Sequence, residues 1–197
     1  MGFPLEQELR AERRRLIVTL DQLSDEAFDS GRTLCSEWSP RDILGHLLSV
    51  DGFAATYLPY GPFLQSANRR QVERARRSPR SRLMARARIW AAQPSLTSRV
   101  GAVVTLGDLA IHHQDIVRGL GLSRDLPASV PTFILWDGAL LSLRTNVRVL
   151  RYRVVPTDGY PPIGTRSGCV PEVRGTREAL GLWLAGRDSV SDELVFN

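Results

Sequence analysis

Residues 38–50, WSPRDILGHLLSV, are the most constraining stretch of this chain, because they predict a buried helix with a histidine in its apolar face. Ser39 suits the N-cap and Pro40 suits the first helical position. The apolar face repeats at i, i+3, i+4 and i+7 and consists of Ile43, His46, Leu47 and Val50. A lone histidine on such a face is usually a hydrogen-bonded core residue. A functional role for His46 therefore depends on partners elsewhere in the chain.

A second helical segment, residues 101–121, supplies candidate partners. Asp108 and His112 stand at i and i+4, so their side chains lie on one helix face, and Asp115 falls on the same side. Asp108 and His112 together with His46 provide three ligands that converge inside a helical bundle. Catalytic zinc is held by three protein ligands with an open fourth position, and the same donors suit nickel or iron. The Asp108–His112 spacing also occurs often as a helix-stabilising pair, which leaves a structural role open.

The remaining pattern predicts a mainly α-helical chain with a small α/β tail. The helix that begins at Pro40 is predicted to run to residue 58. Further helices are predicted over 4–23, in two pieces around Ser78-Pro79, and from about Pro131 onward, with a connecting loop over 24–39. After residue 148 the pattern changes to strands in RYRVVPTD and CVPEVRG, followed by a helix over 177–187. We therefore expect a helical bundle over 1–148 and a β-β-α region over 149–197.

Composition excludes several classes of protein. The chain has 197 residues, 43% of them hydrophobic, which is enough for the core of one domain. No run of eighteen apolar residues predicts a membrane span, and the N-terminus is too charged for a signal peptide, so we expect a cytoplasmic protein. All 26 basic residues are arginine, which points to a GC-rich, actinobacterial source.

An arginine-rich segment, residues 68–88, carries a net charge of +8 from nine arginines and one glutamate. Such a segment can bind nucleic acid or attract anionic substrates. It lacks the interleaved aromatic residues of a base-stacking surface and contains no nucleic-acid-binding motif. A solvated helical face is therefore the preferred interpretation, and nucleic-acid binding is not expected.

Three motifs together resemble the maleylpyruvate isomerase family of mycothiol-dependent enzymes, within the DinB/YfiT-like metal-binding four-helix bundles. The motifs are CSEWSPRDILGHLLSVD at 35–51, LGDLAIHHQDIVRGLG at 106–121 and EVRGTREALGLWLAGR at 172–187. The resemblance implies that His46, Asp108 and His112 bind a divalent metal, whereas His113 takes a variable position of the pattern. It also matches Arg187 to an arginine of the C-terminal region implicated in activity.

Position 108 departs from this family pattern, which usually has glutamate there. Aspartate is one methylene shorter, so its oxygen reaches a metal only if the helix lies closer or a water intervenes. Three outcomes are open: an adjusted metal site, a weak one, or a lost one with a structural hydrogen bond between His46 and Asp108.

The resemblance implies a metal- and mycothiol-dependent isomerase or S-transferase that acts on a small electrophile, with anionic electrophiles among the candidates. The metal, which zinc, nickel or iron could supply, would stabilise the thiolate. Asp115 could hydrogen-bond a metal ligand or form a surface salt bridge to Arg118. Arg187 could hold a substrate carboxylate. The alternatives are a divergent enzyme of specialised metabolism without thiol dependence and a non-catalytic binding protein. A monomer and a homodimer are both compatible with the sequence.

Overall fold

A computed structural model of the chain describes residues 3–52, 56, 64–165 and 170–197. The chain divides into two compact units, Met1–Ser123 and Arg124–Asn197. None of the helices in these described ranges is long and apolar enough to cross a lipid bilayer.

The first unit is a helical bundle. Its helices are α1 (Glu6–Asp21), α2 (Asp25–Ser30), α3 (Pro40–Val50), α4 (Leu64–Arg76), α5 (Arg80–Ala92), α6 (Leu96–Val100) and α7 (Ala102–Gly119). Helices α1 and α3 each pack against both α5 and α7, and α4 packs on α3. The four helices α1, α3, α5 and α7 therefore form the bundle that the sequence predicts, around a core of leucine, isoleucine and alanine side chains.

Helix α3 begins as the sequence predicts. The Ser39 hydroxyl accepts a hydrogen bond from the Asp42 amide, and the Asp42 carboxylate accepts one from the Ser39 amide, which is a capping box. The helix ends at Val50, where Asp51 forms the C-cap, although the periodicity favours a helix to residue 58. Most of that predicted extension lies outside the described residues.

The arginine-rich segment forms two helices, α4 and α5, separated at Ser78-Pro79 as predicted. Four of its arginines form ion pairs with carboxylates: Arg76 with Asp42, Arg77 with Glu73, Arg80 with Asp25, and Arg88 with Asp21. Of these partners, Asp25 belongs to α2 and Asp21 is the last residue of α1. The short helix α2 itself lies inside the predicted 24–39 loop and begins at the N-cap Ser24.

A buried arginine joins three elements of the bundle. Arg13 of α1 is fully buried, donates to the Trp90 carbonyl oxygen at 2.8 Å and to the Asp51 carboxylate at 2.7 Å, and lies over the Trp90 ring. Burial lowers the pKa of the Arg13 guanidinium, and the charge of Asp51 opposes that shift. Because Asp51 also accepts a hydrogen bond from the Ser98 hydroxyl, the end of α3 is tied to α1 and α6.

The second unit combines helices with a four-stranded sheet. Its elements are α8 (Val130–Arg144), α9 (Arg148–Arg151), β1 (Arg153–Pro156), β2 (Ile163–Gly164), β3 (Glu172–Gly175), α10 (Arg177–Leu184), a 3-10 helix (Asp188–Glu193) and β4 (Val195–Phe196). The strand order is β2-β1-β3-β4; β1 and β3 are parallel, and the two outer pairs are antiparallel. The sequence predicts β1, β3 and α10, whereas β2 and β4 have two residues each and are too short for a detectable alternation.

Helix α8 belongs to this second unit, although the predicted boundary at residue 148 assigns it to the bundle. It packs directly on α10, and the contact depends on glycine. A Cβ atom at Gly138 would lie 2.1 Å from the carbonyl oxygen of Gly181, so any larger residue would separate the two helices. The sequence of α8 is helical and apolar, which does not indicate the unit on which it packs.

Candidate metal centre

Helices α3 and α7 bring His46, Asp108 and His112 together in the first unit. One ligand atom from each lies within 4.8 Å of the other two. Both histidines are buried, and Asp108 is half-buried. The rings of the two histidines stand edge to face with their centroids 5.1 Å apart. The cluster therefore combines the two helices that carry all three histidines of the chain.

Two distances in this cluster are close to an edge of a metal coordination sphere. Oδ2 of Asp108 lies 3.5 Å from Nε2 of His46, and Oδ1 of Asp108 lies 3.7 Å from Nε2 of His112. These distances exceed an ordinary hydrogen bond of about 2.7 to 3.2 Å. Two ligands of a tetrahedral ion at about 2.1 Å stand about 3.4 Å apart. Two neutral imidazoles and one carboxylate are also a donor set that divalent ions bind, so the residues present fit a divalent metal.

A buried carboxylate orients His112. Nδ1 of His112 lies 2.9 Å from Oδ2 of Asp115, which is fully buried. As an ionised carboxylate only accepts, Nδ1 donates, which leaves the Nε2 lone pair directed toward Asp108 and His46. This arrangement of carboxylate, histidine and vacant ring nitrogen is common around protein metal sites. Of the two roles predicted for Asp115, the structure shows the hydrogen bond to a candidate ligand.

Trp38 forms one wall of the cluster. Its ring centroid lies 4.9 Å from that of His46 and 5.5 Å from that of His112. Trp38 is half-buried and precedes the N-cap of α3 directly. The indole therefore packs close to both imidazoles and remains partly accessible.

His113 lies next to His112 in sequence but belongs to a different cluster. Its Nδ1 donates to the Glu12 carboxylate at 2.8 Å, and its Nε2 pairs with the Thr19 hydroxyl at 2.8 Å. Glu12 and His113 are both fully buried, and Arg15 donates to the second oxygen of Glu12. Both ring nitrogens of His113 are thus occupied by protein atoms, in agreement with its exclusion from the predicted ligand set.

Arg187 lies in the second unit, directly before the 3-10 helix. It is half-buried, and its guanidinium donates to the Ala185 carbonyl oxygen at 2.7 Å. A role in binding a substrate carboxylate stays a prediction.

Two features of the site are absent from the sequence-based prediction. One is Glu12, whose charged side chain occupies the buried face of α1 with Leu9 and Leu16. A carboxylate inside an apolar stripe is the signal that could have indicated a buried partner. The other is the backbone of Asp115, whose carbonyl oxygen accepts a hydrogen bond from the Leu34 amide at 3.0 Å. No sequence pattern indicates that contact.

Comparison with known proteins identifies the relatives of this chain. Residues 9–93 match the family model of the mycothiol maleylpyruvate isomerase N-terminal domain. The crystal structure of a mycothiol-dependent maleylpyruvate isomerase is similar, with a TM-score of 0.68 at 14% identity over 98% of this chain and 93% of that one. A histidine-to-alanine mutant of that enzyme gives a TM-score of 0.66 with the same identity and coverage. No sequence among curated proteins matches. The predicted DinB-like fold and the resemblance are therefore confirmed.

Proposed function

We propose that this chain, whose residues 9–93 match the family model of the mycothiol maleylpyruvate isomerase N-terminal domain, is a metal- and thiol-dependent enzyme. It acts as an isomerase or S-transferase on a small electrophilic substrate, with mycothiol as the cosubstrate. The observation that supports this proposal is the convergence of His46, Asp108 and His112 on one point of the bundle. This observation is needed because the fold alone does not indicate an activity, since one fold supports many functions.

The three residues would hold the metal through Nε2 of His46, Nε2 of His112 and one carboxylate oxygen of Asp108. A divalent ion with an open position lowers the pKa of a thiol and so supplies a nucleophile near neutral pH. Zinc is the ion that this donor set favours, while nickel and iron are also compatible. Asp108 replaces the glutamate of the family pattern, and its distances to both imidazoles favour an adjusted site.

The surrounding residues orient the reacting groups. Asp115 fixes the tautomer of His112, so that Nδ1 carries the proton and Nε2 is available as a ligand. Trp38 shields one side of the cluster and limits the access of water. The sulfur of a deprotonated thiol then adds to a carbon–carbon double bond conjugated to a carbonyl group, and the electron pair of that bond moves to the carbonyl group as an enolate. Rotation about the resulting single bond and expulsion of the thiolate as the double bond re-forms give an isomer, whereas protonation of the enolate carbon by solvent retains the carbon–sulfur bond and gives a conjugate.

A cobalt-substituted protein tests thiol binding by absorption and the isomerase reaction with maleylpyruvate as the probe. Mycothiol added to the cobalt-loaded protein should produce a sulfur-to-cobalt charge-transfer absorption, and maleylpyruvate should then be converted only when the thiol is present. The matched control is His112→Ala, which should show neither signal. If the loaded wild-type protein shows no spectral change with mycothiol, the thiol-dependent function is wrong, and a divergent enzyme without thiol dependence becomes the better hypothesis.

A further inference from the structure

A polar cleft of about 750 Å³ lies in the first unit beside the loop that joins α2 to α3. Its charged lining consists of Asp29, Arg32, Glu37, Arg41, Asp42 and Arg76. Trp38 is also part of the lining. We propose that this cleft binds the uncharged, hydroxyl-rich body of the cosubstrate thiol, an inference that rests on the proposed function.

The charge balance of the cleft favours a neutral polar ligand. Three carboxylates face three guanidiniums in the lining, so their formal charges cancel. An anionic substrate would require a positive excess. Two of the pairs are close: Arg41 donates to Asp29 at 2.7 Å and Arg76 donates to Asp42 at 2.7 Å. Hydroxyl groups both donate and accept hydrogen bonds, so a polyol can use carboxylates and guanidiniums at the same time.

The ion pairs leave hydrogen-bonding capacity for such a ligand. Asp29 accepts both bonds from Arg41 through Oδ1, so its second oxygen can accept from a ligand. The hydrogen bond to Asp42 raises the pKa of Arg76, so the guanidinium stays charged. Arg32 and Glu37 are exposed at the cleft, where a carboxylate and a guanidinium offer complementary groups to adjacent hydroxyls. The volume lies within the range of about 300 to 1,000 Å³ that is typical of small-molecule sites.

Trp38 connects this cleft to the candidate metal centre. Trp38 is among the lining residues of the cleft, and its ring centroid is 4.9 Å from the ring of His46. The cleft and the candidate metal centre therefore share Trp38 as a neighbour. The flat apolar surface of the indole also suits the C–H face of a sugar-like ring.

The loop that carries Trp38 is fixed on α7, the helix that provides Asp108 and His112. The Leu34 amide donates to the Asp115 carbonyl oxygen, and the Thr33 hydroxyl lies 2.7 Å from the Trp38 carbonyl oxygen. A Cβ atom at Gly119 would lie 2.3 Å from Cα of Thr33, so the loop approaches the helix closely. Asp115 thus positions His112 through its carboxylate and the cleft loop through its backbone. A rigid cleft reduces the entropy that binding costs.

Calorimetric titration of the zinc-loaded protein with three probes tests this proposal. Mycothiol has the thiol and the hydroxyl-rich body, S-methylmycothiol has the body with a blocked sulfur, and N-acetylcysteine has the thiol alone. The cleft variants are Arg32→Gln and Glu37→Gln. Matched controls are Arg69→Gln and Glu73→Gln, the same substitutions at exposed positions of α4 outside the cleft.

Each cleft variant should raise the Kd of mycothiol and of S-methylmycothiol about tenfold, which is the effect of losing one charged hydrogen bond. The Kd of N-acetylcysteine, the zinc content and both control variants should stay unchanged. Equal affinity of wild-type and cleft variants for mycothiol would overturn the cleft assignment, as would an equal loss for N-acetylcysteine. Wild-type protein that binds S-methylmycothiol but shows no thiol-dependent reaction would contradict the proposed function and leave the cleft assignment intact.

Discussion

His112 and His113 are consecutive residues of one helix, and their surroundings differ in the property that matters for function. Nδ1 of His113 lies 2.8 Å from the Glu12 carboxylate, and Nε2 lies 2.8 Å from the Thr19 hydroxyl. Nδ1 of His112 is hydrogen-bonded to Asp115, and Nε2 stands 3.7 Å from the Asp108 carboxylate. Successive residues of an α-helix point about 100° apart, so one histidine reaches α1 and the other reaches α3.

The comparison teaches how a buried polar cluster with short hydrogen bonds between its protein groups differs from one whose groups stand farther apart. Burial of polar groups costs free energy unless hydrogen bonds compensate, and the His113 cluster compensates with protein atoms alone. In the His46–Asp108–His112 cluster, distances of 3.5 and 3.7 Å leave room for a cation between the same kinds of group. The four predictions below test whether this difference in spacing is a difference in function.

The largest expected effect is the loss of the metal when a candidate ligand is removed. Wild-type protein should contain nearly one zinc or nickel ion per chain, and His46→Ala, Asp108→Ala and His112→Ala should contain almost none. The reason is that two remaining donors cannot retain the ion against water and buffer. Elemental analysis of the purified variants measures this. A wild-type protein that stays free of metal after reconstitution would exclude the site.

Removal of His113 should affect stability instead of metal content. His113→Phe leaves the Glu12 carboxylate buried without its main partner, which should lower the free energy of unfolding by about 3 kcal/mol. Urea denaturation monitored by circular dichroism measures this loss. Glu12→Gln keeps an acceptor for Nδ1 and should cost less. If His113→Phe loses metal as completely as His112→Ala, the two clusters do not have separate roles.

Substitution of Asp115 should weaken the metal site without destroying it. Asp115→Asn keeps the shape of the side chain but removes the charge that orients His112. Loss of such a hydrogen bond typically weakens metal binding by about 10- to 100-fold. Competition with a zinc chelator measures the change in Kd. An unchanged Kd would indicate that the bundle orients His112 by packing alone.

The smallest expected effect concerns the edge of the His113 cluster. Thr19→Val replaces the hydroxyl beside Nε2 with a methyl group of similar size, and should lower the free energy of unfolding by about 1 kcal/mol. Thr19 is half-buried, so water can replace part of the lost hydrogen bond. Metal content serves as the internal control and should stay at the wild-type level.

Local sequence patterns predict most of the helices correctly, because each helix carries its own periodicity and end signals. The N-cap of α3 at Ser39 and the interruption at Ser78-Pro79 are examples. The patterns fail where a contact distant in sequence decides the outcome. Helix α3 stops at Val50, and the Asp51 that follows binds Arg13 and Ser98. Two-residue strands such as β2 exist only because β1 lies beside them.

The candidate ligands follow from the sequence as well, since residue type, helical spacing and the three motifs together indicate His46, Asp108 and His112. The sequence likewise places Asp115 on the same side of α7. The sequence does not determine which of the two adjacent histidines, His112 or His113, is hydrogen-bonded to Glu12, because Glu12 lies about one hundred residues away in the chain. Arg187 remains a prediction that rests on the resemblance alone.

The sequence by itself determined the helical class, the start of α3, the interruption at Ser78-Pro79 and the residue types available for chemistry, because these depend on neighbours within a few positions. Only the tertiary structure decided that Asp108 approaches both imidazoles despite its shorter side chain. It also decided that Glu12 is hydrogen-bonded to His113 and that Trp38 contacts the cluster as well as the cleft. The physical reason is that hydrogen bonds and cation sites require positions within a few tenths of an ångström, which packing between distant segments sets.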